Sequence, residues 1–351
     1  MQAIIGWDVG GAHLKAARAE KGVITQAVQI ASPLWLGVDE LDRAYAQAEA
    51  AVGRAPLNAI TMTGEQCDAF ATRAEGVAGL AAIMTRLLRP DRIVFYAGRS
   101  GFVPPDQVEA EALAIASANW HASAALTGRK IGSGLFIDMG STTTDIIPLQ
   151  AGRPANLGFT DAERLQHGEL VYTGLVRSFL MGAGKHVPFA GQWTALMNEW
   201  FATMADVHRI LGQLPEEADL METSDGREKS KEASCARLAR MIGRDSSEAD
   251  QAQWERLAQF FAEAQLRELF DSACLVLSRG LLPQSAPVVG AGAGRAVIRT
   301  LAERLHCPFL AFEDGLAVLP EAAVNAGNCA AAASVALLAG GFSSEVDTGS
   351  R

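Results

Sequence analysis

Two segments of the chain, 130 residues apart, carry the same acidic residue and glycine after an apolar run. Asp8 and Gly10 follow the apolar residues near the N-terminus, and Asp138 and Gly140 follow a similar run in the middle of the chain. Mg²⁺ prefers one or two carboxylates together with water and phosphate oxygens, and consecutive backbone amides in a turn can bind an anion. The two segments therefore predict a pair of turns that hold a polyphosphate from both sides.

The turn residues are the candidate phosphate contacts: Gly10, Gly11, Ala12, His13, Gly140, Ser141, Thr142 and Thr143. We expect Asp8 and Asp138 to hold Mg²⁺ through water, so that the metal offsets charge on a departing phosphate. Lys15 is a candidate point charge for the phosphates, with a solvated surface lysine as the alternative. Asp145 could bind the metal or accept a proton, or could be a polar residue on an exposed strand face.

A third glycine-rich turn lies late in the chain, where Gly290, Gly292 and Gly294 follow a predicted strand. A dinucleotide-binding turn is an alternative interpretation, but such turns usually open a βαβ unit. His121 and His208 are candidate bases, although a single histidine is more often structural. No His/Cys set has zinc spacing, and no Gly-x-Ser-x-Gly motif indicates a serine hydrolase.

The surrounding pattern alternates strands with helices after a hairpin start, which predicts a mixed α/β sheet. In the first half we expect strands at residues 3–9, 14–19, 23–30, 58–63 and 92–96, and helices at 41–52, 77–88, 106–115 and 119–126. In the second half we expect strands at 134–138, 143–149, 154–157 and 287–289, and helices at 193–214, 248–277, 295–305 and 320–338. The polar residues 215–234 are either a solvated loop or a mobile lid.

Repetition of the hairpin predicts a duplicated domain, with lobes at residues 1–129 and 130–351. The second lobe would contain a helical insertion at about 192–280, and the last helix is a candidate to pack back on the first lobe. The Ala/Gly-rich residues 322–338 could also pack against another copy, as a homo-oligomer.

The composition and net charge of the chain limit the classes of partner that we expect it to bind. The 351 residues are 49% hydrophobic and 20% charged, and the net charge is −10, which disfavours a nucleic-acid or membrane partner and leaves small molecules. The five scattered cysteines indicate reduced thiols. The apolar residues 329–341 are too few to cross a bilayer, and no signal peptide is visible, so we expect a cytoplasmic protein.

The order of the three glycine motifs resembles the phosphate-1, phosphate-2 and adenosine motifs of the acetate and sugar kinase, heat-shock chaperone and actin superfamily. This resemblance covers essentially the whole chain. It implies an α/β fold of two ribonuclease-H-like lobes, as in actin-like ATPases, with a ligand cleft between them. In that superfamily the turn at Gly290 meets adenosine; here it could face an acceptor substrate or simply pack.

A narrower resemblance rests on residues 10–15, 137–146 and 167–174, supported by 204–209 and 223–227. These segments look like the tetrahydromethanopterin-linked one-carbon branch of the hydantoinase/oxoprolinase-related group, which is similar to the archaeal methanofuran-biosynthesis synthase family. The resemblance implies a transferase that joins an aminomethylfuran methyl diphosphate to the phenol oxygen of a glutamyl-tyramine or tyrosine-type acceptor and releases diphosphate. His13 departs from the family pattern, which commonly has Asn at this position.

Under this interpretation Asp145 is the first candidate base for the phenol and His121 the second. His167, Glu169 and Tyr172 form a polar cluster that could contact the acceptor. The resemblance favours Mg²⁺ as cofactor, with ATP not favoured. The alternatives are an ATP-dependent kinase or oxoprolinase-like enzyme that uses the same phosphate turns, and a nucleotide-switched actin- or chaperone-like protein.

Overall fold

A computed structural model describes the backbone of residues 2–348 and the side chains of residues 2–341. The chain divides into two compact units. Unit 1 comprises Met1–Phe136, Leu149–Ala155 and Leu310–Arg351, and unit 2 comprises Ile137–Pro148 and Asn156–Phe309. The division thus lies near residue 136 rather than 129, and it returns the C-terminal segment to unit 1.

The strands in chain order are β1 Ile4–Val9, β2 His13–Glu20, β3 Val23–Ala31, β4 Leu57–Met62, β5 Arg92–Tyr96, β6 Phe102–Val103, β7 Gly134–Met139, β8 Thr144–Gln150, β9 Arg153–Pro154, β10 Leu170–Val171, β11 His186–Phe189, β12 Gln192–Ala195, β13 Val288–Ala291 and β14 Phe309–Ala311. The α-helices are α1 Asp39–Val52, α2 Arg73–Leu88, α3 Ala112–Ile115, α4 Asn119–Ile131, α5 Asp161–Gln166, α6 Met204–Ile210, α7 Lys231–Arg240, α8 Gln251–Leu277, α9 Arg295–Arg304, α10 Ala323–Asn328 and α11 Ala330–Thr348.

The first sheet has the strand order β3-β2-β1-β4-β5-β6. The hairpin strands β1, β2 and β3 pair antiparallel, whereas β1, β4 and β5 run parallel. The carboxyl ends of these three parallel strands therefore meet at one edge, where ligands of open α/β sheets usually bind. The Asp8 turn follows β1 at this edge.

The core of unit 1 lies between this sheet and its helices. Strand side chains such as Trp7 and Phe95 are buried with the apolar faces of α1 and α2. Helix α11 packs against β1, β2 and β4. A Cβ at Gly6 would overlap the carbonyl oxygen of Ala332, so the small side chains of strand and helix permit a very close approach. This packing explains why the C-terminal helix belongs to unit 1.

The second sheet has the order β10-β8-β7-β13-β14, with β9 paired to β8. Its helical region has a separate core, in which Trp254 and Phe261 of α8 are buried with Leu238 of α7 and Val207 of α6. Phe189 of β11 stacks on Trp254 with the ring centroids 4.9 Å apart. The insertion expected from the sequence therefore has its own hydrophobic stabilisation.

Four predicted elements were wrong in detail. The helix predicted at 193–214 starts inside strand β12, which pairs with β11 across a turn at Ala190 and Gly191, and is helical only over α6. The helix at 106–115 is reduced to a 3₁₀ turn and α3. Helix α7 begins inside the predicted loop, where the Ser230 side chain accepts from the amide of Ala233. The last helix breaks at Cys329, whose backbone is not helical.

Within residues 2–348, no single helix has both the length and the apolar character needed to cross a membrane. The segments Pro320–Asn328 and Ala330–Gly341 meet those criteria only as a pair, and that pair is bent by 108°.

Candidate functional site

Backbone hydrogen bonds fix the turn after β1, which both donates and accepts them. The amide of Gly10 donates to the carbonyl of His13 at 3.0 Å, which closes the turn. The carbonyls of Gly11 and Ala12 accept from the amides of Leu34 and Ser32 at 3.0 and 2.9 Å. The predicted phosphate contacts of unit 1 thus lie on a backbone held both by a bond within the turn and by bonds to residues 32–34. His13 is buried in this turn.

Asp8 and Lys15 lie directly opposite each other in the β1–β2 ladder. The Lys15 ammonium lies 3.8 Å from the Asp8 carboxylate, and Asp8 is only 3% exposed. The lysine predicted to reach the phosphates therefore pairs with the aspartate predicted to hold the metal. This pairing offsets much of the charge that Asp8 could offer to a cation.

The carboxyl edge beside this turn carries a glutamate that the sequence interpretation missed. The amides of Thr63 and Gly64 both donate to the carbonyl of Val9 at 2.9 Å, so the end of β4 is tied to the end of β1. The next residue, Glu65, is completely buried and accepts a hydrogen bond from the Ser117 hydroxyl at 2.7 Å. Ser117 has a positive φ of 50°. A charged residue directly after a buried strand was the signal that could have found Glu65.

His121 lies on α4 in contact with β5. Its Nδ1 is 2.8 Å from the Tyr96 hydroxyl. Burial lowers the pKa of His121 to about 4, with a smaller contribution in the same direction from Arg99. Burial also raises the pKa of Tyr96 well above its usual value, so the tyrosine keeps its proton. A buried imidazole of such low basicity is a weak base for a phenol, and the role of His121 as base stays a prediction.

The turn after β7 repeats the closing bond of the first turn. The amide of Gly140 donates to the carbonyl of Thr143 at 3.0 Å. Residues 173–178, which we call the strap, lie against this turn. The strap amides of Leu175, Val176 and Arg177 donate to the carbonyls of Gly140 and Ser141, at distances of 2.8–3.0 Å.

Asp138 lies at the end of β7 beside the late glycine turn. The amide of Gly294 donates to the carbonyl of Met139 at 3.0 Å, and Gly292 has a φ of 81°. A Cβ at Gly292 would overlap a carboxylate oxygen of Asp138. The structure therefore brings together two motifs that are 154 residues apart in the sequence. The Arg295 guanidinium donates to the carbonyl of Gly292 at 2.7 Å and adds a cation to this turn.

The oxygen donors of unit 2 fit the requirements of Mg²⁺. Asp138 is half-buried, and the Ser141 and Thr142 hydroxyls follow it in the turn. In the part of the chain that the structure describes, no group of three or more His, Cys, Asp or Glu residues could hold a metal ion. A magnesium ion would therefore depend on one carboxylate, water and ligand oxygens, which is the usual Mg²⁺ arrangement.

Asp145 and Glu169, the predicted base and acceptor contact, each form an ion pair with an arginine. Asp145 forms an ion pair with the buried Arg164, which also pairs with Asp161 at 2.7 Å. Glu169 is completely buried, accepts from the amides of Leu157 and Gly158 at 2.7 and 2.9 Å, and pairs with Arg279.

The other two members of the predicted acceptor cluster lie nearer the surface. His167 caps the end of α5, and its carbonyl accepts from the Arg279 guanidinium at 2.7 Å. Tyr172 is 69% exposed. Of the predicted cluster, Tyr172 therefore presents the most accessible side chain for a ligand.

His208 is also a structural residue. It is 1% exposed, its Nε2 lies 3.0 Å from the Gln265 amide oxygen, and its Nδ1 lies 3.3 Å from the Gln213 amide oxygen. Burial lowers the pKa of His208, because it disfavours the charged ring. A base in such an enclosed position cannot reach a substrate without rearrangement.

The polar segment that could have been a lid is tied to the helical region by ion pairs. Arg209 of α6 pairs with Asp219 at 2.6 Å, and Arg237 of α7 pairs with Asp225 at 3.1 Å. Arg237 also pairs with the buried Asp206 at 2.7 Å. The two sequence segments 204–209 and 223–227 thus meet in one buried network, which favours a fixed loop over a mobile lid.

Comparison with known proteins identifies relatives of this architecture. The model of the hydantoinase/oxoprolinase family matches residues 57–328. A (4-{4-[2-(gamma-L-glutamylamino)ethyl]phenoxymethyl}furan-2-yl)methanamine synthase from Methanocaldococcus jannaschii is 32% identical over 243 residues, covering 69% of this chain and 72% of that protein. A protein of the same name from Methanococcus vannielii is 35% identical over 111 residues, covering 32% of this chain and 50% of that protein.

Among solved structures, a nucleotide-free acetone carboxylase is similar in fold, with a TM-score of 0.54 and 12% identity. The similarity covers 95% of this chain and 70% of that one. The α/β actin-like ATPase fold predicted from the three glycine motifs is thereby confirmed, and so is the predicted family. From its matched residues and its relatives, this chain belongs to the hydantoinase/oxoprolinase family.

Proposed function

We propose that the protein is a transferase that forms an aryl ether from a furan-methyl diphosphate and a phenol. The observation that carries the proposal is the 32% identity, over 72% of its length, to a synthase whose name describes a phenoxymethyl-furan product with a glutamylaminoethyl group. The phenol half of that product corresponds to a glutamyl-tyramine. The turn after β7 adds candidate contacts for a diphosphate leaving group.

The proposed reaction balances without a further reactant. The bond between the furan methylene carbon and the diphosphate oxygen breaks, and its electron pair leaves with diphosphate. A lone pair of the phenol oxygen forms the new carbon–oxygen bond, and the phenol proton passes to a base or to water. Because the furan ring stabilises positive charge on the methylene carbon, negative charge collects on the departing diphosphate, and stabilising it is the main task of the protein.

The residues of the turn after β7 suit that task. The turn at Gly140 carries the Ser141 and Thr142 hydroxyls and follows the Asp138 carboxylate. Mg²⁺ held there by Asp138 would neutralise charge on the diphosphate. In unit 1, the Lys15 ammonium lies beside the turn at Gly10 while pairing with Asp8. We assign Lys15 to charge balance in this turn rather than to proton transfer.

The test is to incubate the protein with Mg²⁺, an aminomethylfuran methyl diphosphate and glutamyl-tyramine, and to measure the ether by mass spectrometry together with released diphosphate. Asp138→Asn should lower turnover by orders of magnitude while the protein remains folded. Asp271→Asn, which removes an exposed carboxylate paired with Arg267, is the matched control and should keep normal turnover. No ether from the wild-type protein, or normal turnover by folded Asp138→Asn, would contradict the proposal.

A second candidate is an ATP-dependent enzyme of the oxoprolinase type. It is favoured by the packing of the Gly292 turn against Asp138, because the corresponding motif of the superfamily meets adenosine. The same preparation incubated with Mg²⁺ and ATP separates the two candidates. Formation of ADP without ether formation would favour the second, and ether formation that needs no ATP would favour the first.

A further inference from the structure

Arg177 lies where the strap meets the turn after β7. Its amide donates to the carbonyl of Ser141 at 2.8 Å, and its guanidinium nitrogen Nη1 lies 3.5 Å from the hydroxyl oxygen of Thr142. Both ends of the residue are thus attached to the turn that carries the candidate phosphate contacts. Arg177 is half-buried, so its charge acts in surroundings that screen it less than bulk water does.

The side chain has the chemistry of an anion ligand. A guanidinium keeps its proton throughout the physiological range and presents a planar fork that matches two phosphate oxygens. Burial lowers the pKa of Arg177, and the nearby Tyr172 acts in the opposite direction. Partial desolvation of this kind makes binding of an anion more favourable, because the anion replaces hydration that the guanidinium has already lost.

Hydrogen bonds from helix α8 hold the strap that presents Arg177. The Gln265 amide nitrogen donates to the Thr173 hydroxyl and to the carbonyl of Gly174, both at 2.9 Å. Because the Gln265 nitrogen faces two acceptors, the amide oxygen of Gln265 faces His208. The Nε2 of His208 then donates to that oxygen. Gly174 lies so close to the turn that a Cβ there would be 2.5 Å from the Thr142 nitrogen. The helical region thereby fixes the position of the strap.

We infer that Arg177 is an anion-binding residue of the turn after β7 and contacts the diphosphate, an assignment that rests on the proposed function for the identity of the anion. His208 and Gln265 are positioning residues for the strap. Sequence patterns alone gave no reason to choose Arg177 among the arginines of the chain. The contact with Thr142 and the fixed strap single it out.

The experiment is isothermal titration calorimetry of the full chain with inorganic diphosphate in the presence of Mg²⁺. Arg177→Gln should weaken diphosphate binding by roughly 10- to 100-fold, since a hydrogen bond to a charged group contributes about 1.5–3 kcal/mol. Arg256→Gln removes an exposed arginine of α8 and is the matched control, with affinity expected to be unchanged. Equal affinities of wild type and Arg177→Gln, or no binding by the wild type at millimolar diphosphate, would overturn the inference.

A second variant covers the case in which Arg177→Gln does not fold. Arg177→Lys keeps the charge but loses the planar fork, so we expect a several-fold weaker diphosphate affinity at an unchanged melting temperature. Unchanged affinity of a folded Arg177→Lys would also count against the inference. Guanidinium ion added to Arg177→Ala should restore part of the affinity, which a purely structural role for the side chain would not produce.

The outcomes separate this inference from the proposed function. Arg177-dependent diphosphate binding without ether formation would retain the anion site and reject the transferase reaction. Ether formation with an Arg177→Gln variant that binds diphosphate normally would retain the transferase reaction and reject Arg177 as the anion-binding residue. A parallel titration with ATP distinguishes a nucleotide polyphosphate from free diphosphate as the preferred anion.

Discussion

Lowering the pH should destabilise the protein through His121, because its folded-state pKa lies below that of an exposed histidine. The pKa of His121 is about 4 in the folded protein, because burial and, to a smaller extent, the charge of Arg99 disfavour the charged ring. In the unfolded chain a histidine has a pKa of about 6.5. Above pH 6.5 both states are neutral, and His121 adds no pH dependence.

Below pH 6.5 the unfolded chain binds the proton and the folded protein does not, so the free energy of unfolding falls as the pH falls. The slope is about 1.4 kcal/mol per pH unit between the two pKa values. Over the interval from pH 6.5 to pH 4, His121 therefore accounts for about 3 kcal/mol of lost stability. His208 contributes with the same sign, because burial lowers its pKa as well.

The assay is urea denaturation of the wild type and of His121→Gln at several pH values between 7.5 and 4.5. Glutamine stays neutral and can accept from Tyr96, so the stability of this variant should fall less steeply than that of the wild type. His186→Gln, which replaces an exposed histidine of β11, is the control and should follow the wild-type curve. If the wild-type and His121→Gln curves stay parallel over this range, the reasoning about His121 is refuted.

Three substitutions test packing and charge elsewhere. Gly292→Ala, at a φ of 81° and against the Asp138 carboxylate, should cost about 1–3 kcal/mol of stability and weaken diphosphate binding; an unchanged binding isotherm would contradict it. Arg164→Leu leaves Asp145 without its buried partner and should cost about 3–5 kcal/mol in a denaturation experiment, with partial recovery when Asp145→Asn is added. Gly6→Ala should lower the melting temperature measured by calorimetry, because overpacking against the last helix costs about 1–3 kcal/mol; an unchanged melting temperature would show that the helix can shift.

Much of the fold could be predicted because its signals are local. The strand at Arg92–Tyr96 has the predicted bounds, and the two Asp-x-Gly turns follow β1 and β7 as expected. The hairpin strand Gln192–Ala195 was missed because its residues also fit a helical spacing. The break at Cys329 was missed because the alanine-rich sequence on both sides favours a helix.

The candidate site was predictable to a smaller extent. Glycine and hydroxyl residues after an apolar strand predict the turn residues, and their role as phosphate contacts stays a prediction. The roles of the charged residues depend on partners that are distant in the sequence. Glu169 pairs with Arg279, which lies 110 positions later. Asp145 has the same spacing from Asp138 as Lys15 has from Asp8, yet its partner is Arg164.

By itself, the sequence determined the family, the duplicated hairpins and the positions of the two Asp-x-Gly turns, because these depend on residue types at short spacing. Only the tertiary structure decided that Lys15 pairs with Asp8, that the Gly292 turn lies against Asp138, and that Arg177 borders the turn after β7. The physical reason is that burial and ion pairing depend on distances in space, which the order of residues along the chain does not specify.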